Sequence, residues 1–366
     1  MSELLAMMMR KQQYMNLDIV GSPTISNGIV SGFSASDYLN LQNTITLSKD
    51  SNIEIVEKIN KPSDKNSNSF IGTETRFGFA IQLNNSGKMA VYVGDGNSWI
   101  TSNVGTFILD NDTDYYIKIK ITNGLFNVLY SVDNINYTLD TSLDISSLTA
   151  EEQYNLRLGV ARNTTNYFNG QIDINQSYIK IANTKYKFQF TMPLTKVGSP
   201  TIVDGVVSGF SASDYLRLDN LNIGTKDFEI ATSFISNNVV NNRFFASFGS
   251  SSVFTGFNIS SSGAIRFYVY DGTNQYNVIF ETYQSNTKYY IKGYRKGTEI
   301  GIKVSTNNIN WTTITNAIPE NANIQLENGL MYIGANTYSG SAFDGSIDIN
   351  NSYIVLNGTK YIFTLP

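Results

Sequence analysis

Two matching turns hold the residues best suited to chemistry. One reads Gly94-Asp95-Gly96-Asn97-Ser98-Trp99, the other Tyr270-Asp271-Gly272-Thr273-Asn274-Gln275-Tyr276. Each combines an acid, an amide and an aromatic ring. Asp and Asn hydrogen-bond sugar hydroxyls while a ring face stacks on the sugar, so Asp95, Asn97, Trp99, Asp271, Asn274 and Tyr276 are candidate carbohydrate contacts. The simpler competing reading is an ordinary Asp-Gly hairpin turn. A third stretch, Asp110-Asn111-Asp112-Thr113-Asp114, resembles the start of a calcium loop. A helix-loop-helix calcium site would need Gly at 115 and Glu at 121, where the chain has Tyr115 and Ile121. The second half carries Gln284-Ser285-Asn286-Thr287-Lys288 there, without the acids, so a polar turn is expected and calcium is the only metal considered.

Other chemistries are excluded by composition. The chain has no His and no Cys, which removes the usual general base near neutral pH, the commonest metal ligand, thiolate chemistry and disulfides. The net charge of −4, with no basic run longer than Arg10-Lys11, argues against nucleic acid as a partner. No apolar run reaches the ~20 residues of a membrane-spanning helix, and Leu4 to Met9 lacks the form of a signal peptide.

The elements that must position these residues are duplicated. Val20 to Asn43 and Val197 to Asn220 are identical at nineteen of 24 positions. Phe168 to Ile179, FNGQIDINQSYI, recurs as Phe343 to Ile354, FDGSIDINNSYI. The chain is therefore a tandem repeat, with expected units at residues 17–193 and 194–366 and almost no linker between them. Within the first pair, Asn27-Gly28 and Asp204-Gly205 sit between short apolar runs, a strong type I′ hairpin signal. We read that stretch as a folding element. Short β-rich runs separated by Gly, Asn, Asp and Ser follow in both halves, including Asn52–Ile59, Tyr115–Ile121, Leu156–Ala161, Gln171–Asp173, Tyr178–Ile181 and Lys185–Phe190. Ser146 to Gln153, with Thr149 and Glu152 in capping spacing, predicts the one helix. The Tyr115-Tyr116 and Tyr289-Tyr290 pairs should each place one ring in a core, and Tyr137 and Trp311 should pack. Many short strands with almost no helix imply a sandwich or barrel, and the unit length suits a jelly roll.

Met1 to Asn16 stands outside the repeat. It is rich in helix formers, and its Met-rich surface is adaptable. It reads either as a terminus packed on its own domain or as an anchor, with Leu4, Leu5, Met8 and Met9 as the docking side chains.

Gly-Phe-Ser-Ala-Ser-Asp-Tyr-Leu near the start of each copy, the hairpins Ser131 to Thr138 and Ser305 to Thr312, and the closing Phe-x-Gly-x-Ile-Asp-Ile-x-x-Ser-Tyr-Ile together resemble the concanavalin A-like lectin/glucanase superfamily, in its laminin-G-like branch. The resemblance implies an all-β chain of two tandem jelly-roll sandwiches with a short N-terminal helical or extended segment. Glucanases of that superfamily carry Glu-x-Asp-x-x-Glu. The chain lacks it: Glu54 and Glu57 have no central Asp, so no enzyme activity and no cofactor are expected. Domains of this look occur in structural proteins of tailed bacteriophages. The expected function is a non-enzymatic virion component, in a capsid decoration, fibre or tail, held to other virion proteins by the N-terminal segment. Host or mucosal glycans are weak ligands in this reading, a homo-oligomer is compatible with it, and no membrane is involved. The alternative is a secreted or cell-surface carbohydrate-binding protein.

Overall fold

The computed structural model describes residues 12–61, 68–73, 77–95, 98–148, 152–161, 167–238, 242–248, 254–260, 262–326, 329–336 and 341–366. Two compact units divide at Phe190/Thr191. Each is a jelly-roll sandwich of two sheets, and no helix occurs among the described residues.

In the first unit one sheet runs, neighbour by neighbour, Trp99–Ile108, Lys88–Asp95, Phe77–Leu83, Asn68–Thr73, Glu152–Leu158, Tyr38–Leu47 and Gln13–Val20. The other runs Thr138–Asp144, Leu125–Ser131, Asp114–Thr122, Ile53–Asn60 and Gln171–Ile181. Thr184–Pro193 pairs antiparallel with Gln171–Ile181 and parallel with Gln13–Val20, so it carries the chain from one sheet to the other. The second unit repeats the order. Its sheets are Thr195–Val197, Tyr215–Leu218, Met331–Ile333, Asn242–Phe248, Phe254–Ile259, Ile265–Tyr270 and Gln275–Phe280, and Thr312–Ala317, Glu299–Ser305, Lys288–Lys296, Phe228–Ser236 and Gly345–Leu356.

Period-two alternation explains the layers. In Asp114–Thr122 the residues Tyr115, Ile117, Ile119 and Ile121 are buried while Tyr116 and Lys118 are partly exposed and Lys120 exposed. Tyr289 is likewise buried and Tyr290 partly exposed, so one ring of each Tyr pair enters the core as expected. The sheets meet through rings such as Phe79 and Phe126, with centroids 5.2 Å apart, and Phe228 and Phe267, 6.2 Å apart.

The near-identical stretches are folding elements. Asn27 and Gly28 have φ of 50° and 76°, and Asp204 and Gly205 have 50° and 79°, as type I′ turns require. Each hairpin lies on the closing strand of its unit, pairing Val30 with Ile172 and Val207 with Ile347. Asn175 Nδ2 donates to the Asn27 carbonyl at 2.8 Å, and Asn350 Nδ2 to that of Asp204 at 2.9 Å. Downstream, Asp37 accepts from the Ser22 N–H and Asp214 from that of Ser199, both at 2.7 Å. The two repeated motifs then pack on each other. Phe33 lies 6.5 Å from Phe168, which is fully buried, and Phe210 lies 6.2 Å from Phe343. Gly159 and Gly334 make room, because a Cβ there would fall 2.0 Å from the Phe33 and Phe210 rings respectively.

Three expectations change. Glu152 and Gln153 are not helical. They begin a strand paired with Leu47 and Thr46, because Tyr154, Leu156 and Leu158 alternate into the core. Thr149 to Glu151 lie outside the described residues. Gln171–Asp173 and Tyr178–Ile181 are one strand, interrupted by an irregularity at its pairing with Ile53–Asn60. Gln13 to Asn16 are a strand paired with Tyr186 to Gln189, with Met15 buried, so regular structure reaches back into the stretch read as an N-terminal segment.

The aromatic clasp carries a stability prediction. Phe168→Ala and Phe343→Ala should each cost about 3–5 kcal/mol in their own unit. Urea unfolding followed by fluorescence should show one unit's midpoint fall while the other's stays in place.

Candidate functional site

The turn at residue 95 closes the hairpin between Lys88–Asp95 and Trp99–Ile108. The Asp95 N–H donates to the Ser98 carbonyl at 3.1 Å and its Oδ1 accepts from the Ser98 N–H at 2.9 Å. Asp271 closes the matching hairpin. Its Oδ1 accepts from the N–H groups of Thr273 and Asn274, at 2.9 and 2.6 Å, and its Oδ2 from the Tyr276 hydroxyl at 3.2 Å. These bonds hold the Asp271 carboxyl below its ordinary pKa against the opposing pull of burial. Both acids therefore cap their own turns. Asn97 lies outside the described residues. Tyr276 pairs with the buried Val269, so its ring sits on the inner side of the sheet and braces the turn. Trp99 pairs with Gly94 on the outer side, 5.5 Å from Tyr92.

That outer face holds residues the sequence reading did not single out. Tyr92 and Tyr268 occupy the same position, three residues before the turn Asp. Each is partly exposed and lies against a second ring, Trp99 for Tyr92 and Phe254, 4.6 Å away, for Tyr268. The signal was present in the alternation of Val91-Tyr92-Val93 and Phe267-Tyr268-Val269, whose flanking residues are buried. In the second unit a cleft of about 410 Å³ adjoins the turn, lined by Asn220, Asn222, Asn323 and Gln325 among others. Gln325 ties the cleft to the turn. Its N–H donates to the Tyr270 carbonyl at 2.7 Å, and its own carbonyl accepts from Thr255 Oγ1 at 3.2 Å. Side-chain amides offer both donors and acceptors, the pattern that sugar hydroxyls match. The amides came from Asn220 to Asn222 and Asn323 to Gln325, a hundred residues apart, which is why no local motif revealed them.

The Asp110–Asp114 stretch is a turn, with φ of 52° at Asp112. Asp114 Oδ2 lies 2.9 Å from Lys58 Nζ, Asp110 Oδ2 accepts from the Tyr115 hydroxyl at 3.3 Å, and Asn111 accepts from Lys61 Nζ. Among the described residues no group of three His, Cys, Asp or Glu could hold a metal ion. Leu4, Leu5, Met8 and Met9 lie outside the described residues.

Glu54 and Glu57 cannot act as a pair. They stand on opposite faces of the Ile53–Asn60 strand, Glu54 partly exposed and Glu57 buried in line with Ile55 and Ile59. Neither carboxylate oxygen of Glu57 has a hydrogen-bond partner among the described residues. Burial pushes its pKa well above the ordinary 4.5. Tyr137 and Trp311 pack as expected, under Lys118 Nζ at 3.7 Å and Lys292 Nζ at 4.9 Å.

No protein-family model and no curated protein matches the chain. Among solved structures it is similar to domains LG4-5 of the mouse laminin α1 chain, at 12% identity and a TM-score of 0.34 over 94% of this chain and 92% of that one. It is also similar to the exoplasmic/lumenal domain of VIP36 in its Ca2+- and mannose-bound form, at 15% identity and a TM-score of 0.32 over 45% and 82%. A third is the CBM40 of the Ruminococcus gnavus IT-sialidase bound to α2,3 sialyllactose, at 15% identity and a TM-score of 0.28 over 41% and 92%. These neighbours are laminin G domains and lectin-like jelly rolls, and the likeness is one of fold.

The buried carboxyl sets a pH dependence. The native state holds the Glu57 proton more tightly than the unfolded chain does, so the contribution of Glu57 to stability is fully present below about 4.5 and is lost as pH rises through the folded-state pKa. Glu57→Gln should flatten that fall and raise the first unit's urea midpoint at pH 8. Parallel slopes for the two proteins between pH 4.5 and 8 would show that Glu57 is already ionised in the fold.

Proposed function

We propose that the chain is a non-enzymatic, tandem carbohydrate-binding protein, and that the cleft beside the Asp271 turn is its principal sugar site. The observation that carries this reading is the amide-lined cleft tied through Gln325 to the Tyr270-Asp271-Gly272 turn. Asn220, Asn222, Asn323 and Gln325 would exchange hydrogen bonds with hydroxyls, and the outer rings of the same sheet would receive a sugar face. The Tyr92–Trp99 pair is the first unit's counterpart. Asp95 and Asp271 serve by shaping the turns.

The finer reading is a bacteriophage virion component. It is supported by the sequence resemblance and by the Met-rich segment, with Leu4, Leu5, Met8 and Met9 docking on another virion protein. Sites too weak to act singly gain avidity when displayed many times on one particle.

A glycan array probed with the full-length protein, with calcium and with a chelator, tests the coarse reading, and a blank array in both conditions would end it. Once a ligand is known, Asn323→Ala with Gln325→Ala should weaken binding by roughly tenfold or more, as expected for two lost polar contacts. Thermal unfolding should be unchanged. Undiminished binding in that variant would move the site away from the cleft.

A further inference from the structure

The second sheet of the first unit gathers cations that are scattered in the sequence. Strand registers align Lys120, Glu54, Lys180 and Lys185 across four adjacent strands. The next row on the same face is Lys118, Val56, Tyr178 and Lys187. The opposite sides of these strands bury Ile55, Ile119 and Ile179, so both rows face outward. Two neighbouring rows thus hold Lys118, Lys120, Lys180, Lys185 and Lys187 around a single carboxylate, in a chain whose net charge is −4.

The centre of the patch is built. Glu54 Oε1 accepts from the Tyr178 hydroxyl at 2.9 Å and lies 3.8 Å from Lys118 Nζ. Lys185 Nζ sits 3.4 Å from the centroid of the Tyr178 ring. Burial, then the neighbouring Lys187 and Lys118, lower the Lys185 pKa, and Glu54 offsets them only in part.

The second unit keeps the centre and drops the surround. Tyr353 donates to Glu229 at 2.8 Å, Lys292 Nζ lies 3.7 Å from Glu229, and Lys360 Nζ lies 4.0 Å from the Tyr353 centroid. The registers place Tyr294, Val355 and Ile362 where the first unit has Lys120, Lys180 and Lys187. The central cluster is therefore part of the fold, and the extra lysines are particular to the first unit.

We propose that this face of the first unit binds an anionic polysaccharide, one bearing carboxylate or sulfate groups along its length. Lys120 and Lys180 are two strand spacings apart, about 10 Å, and the row extends one further strand to Lys185. Such a flat, four-strand face presents separate point charges to a chain with spaced anionic groups. It does not suit nucleic acid. A sheet this wide does not enter a duplex groove to read bases, and proteins that hold single strands combine a basic groove with aromatic rings open for stacking. Here the Tyr178 and Tyr137 rings each carry a lysine ammonium. The site is separate from the sugar cleft of the second unit.

The probes are dextran sulfate, neutral dextran of the same length and a single-stranded oligonucleotide, applied to the full-length protein at several salt concentrations. Dextran sulfate should bind, with an affinity that falls steeply with salt, and neutral dextran should not. Lys120→Gln/Lys180→Gln/Lys187→Gln should weaken that binding by roughly tenfold or more at low salt and lessen its salt dependence. Asn323→Ala with Gln325→Ala should leave it unchanged, which separates this proposal from the cleft reading. The replaced side chains are on the sheet's outer face, so circular dichroism and the urea midpoint should match the parent protein. No preference for dextran sulfate over dextran, or undiminished binding by the triple variant, would overturn the proposal. Equal binding of the oligonucleotide would overturn the polysaccharide assignment in favour of nucleic acid.

Discussion

Everything else in each unit depends on the contact between its beginning and its end. Phe33 and Phe168, and again Phe210 and Phe343, come from opposite ends of a unit and meet only when the sandwich closes. The same closure sets the Asn-Gly or Asp-Gly hairpin on the final long strand and satisfies the turn carbonyl with Asn175 or Asn350. These contacts span nearly the whole unit in sequence. Their loop-closure cost is met only when many of them form together, which makes closure cooperative. The identity of these stretches between copies follows from that demand. A ring, a glycine without a Cβ and a turn with two positive φ angles leave little freedom for substitution.

The fold was legible in the sequence to the extent that it is written in local rules. Strand alternation in Tyr115 to Ile121 and the turn chemistry of Asn27-Gly28 are local, and both appear in the structure. The capping spacing at Thr149 and Glu152 is local too, yet Glu152 and Gln153 are extended. There the pairing with Tyr38–Leu47 and the burial of Tyr154 and Leu156 outweigh helix propensity. The surface sites were less legible. The turn aspartates looked like ligand groups and are occupied by their own backbone. The lysines of the outer face become neighbours through strand register, and the amides of the cleft through two irregular segments joined by the isolated bridge between Gly224 and Ile324; composition encodes neither.

Comparison of the copies separates what the fold requires from what the surface is free to change. An ion pair shows the difference. In the first unit Lys58 lies 3.5 Å from Asp173, and in the second Lys288 lies 3.0 Å from Asp348. The aspartates match, but the lysine has moved to the adjacent strand, and Asp114 stands where Lys288 does. An ion pair to the matching aspartate is kept while the strand supplying the lysine has changed, and in the first unit that lysine also meets a second aspartate, Asp114, at 2.9 Å. The same logic applies inside the core. Glu57 is matched by Thr232, whose hydroxyl bonds Ser352 at 2.8 Å. One copy holds a satisfied hydroxyl where the other holds a carboxyl without a partner among the described residues.

A second copy of a stable scaffold removes the need for one surface to serve every contact. The clasp residues are kept in both units while outward strand faces and turns have diverged. The first unit has turned one sheet face basic, and the second has an amide-lined cleft beside its turn. Charge and amide chemistry select different features of a glycan, its anionic groups and its hydroxyls. Long-range attraction to the first raises the rate of encounter, while short hydrogen bonds to the second set the discrimination between sugars. Duplication in this protein keeps one fold while leaving a basic sheet face in one copy and an amide-lined cleft in the other.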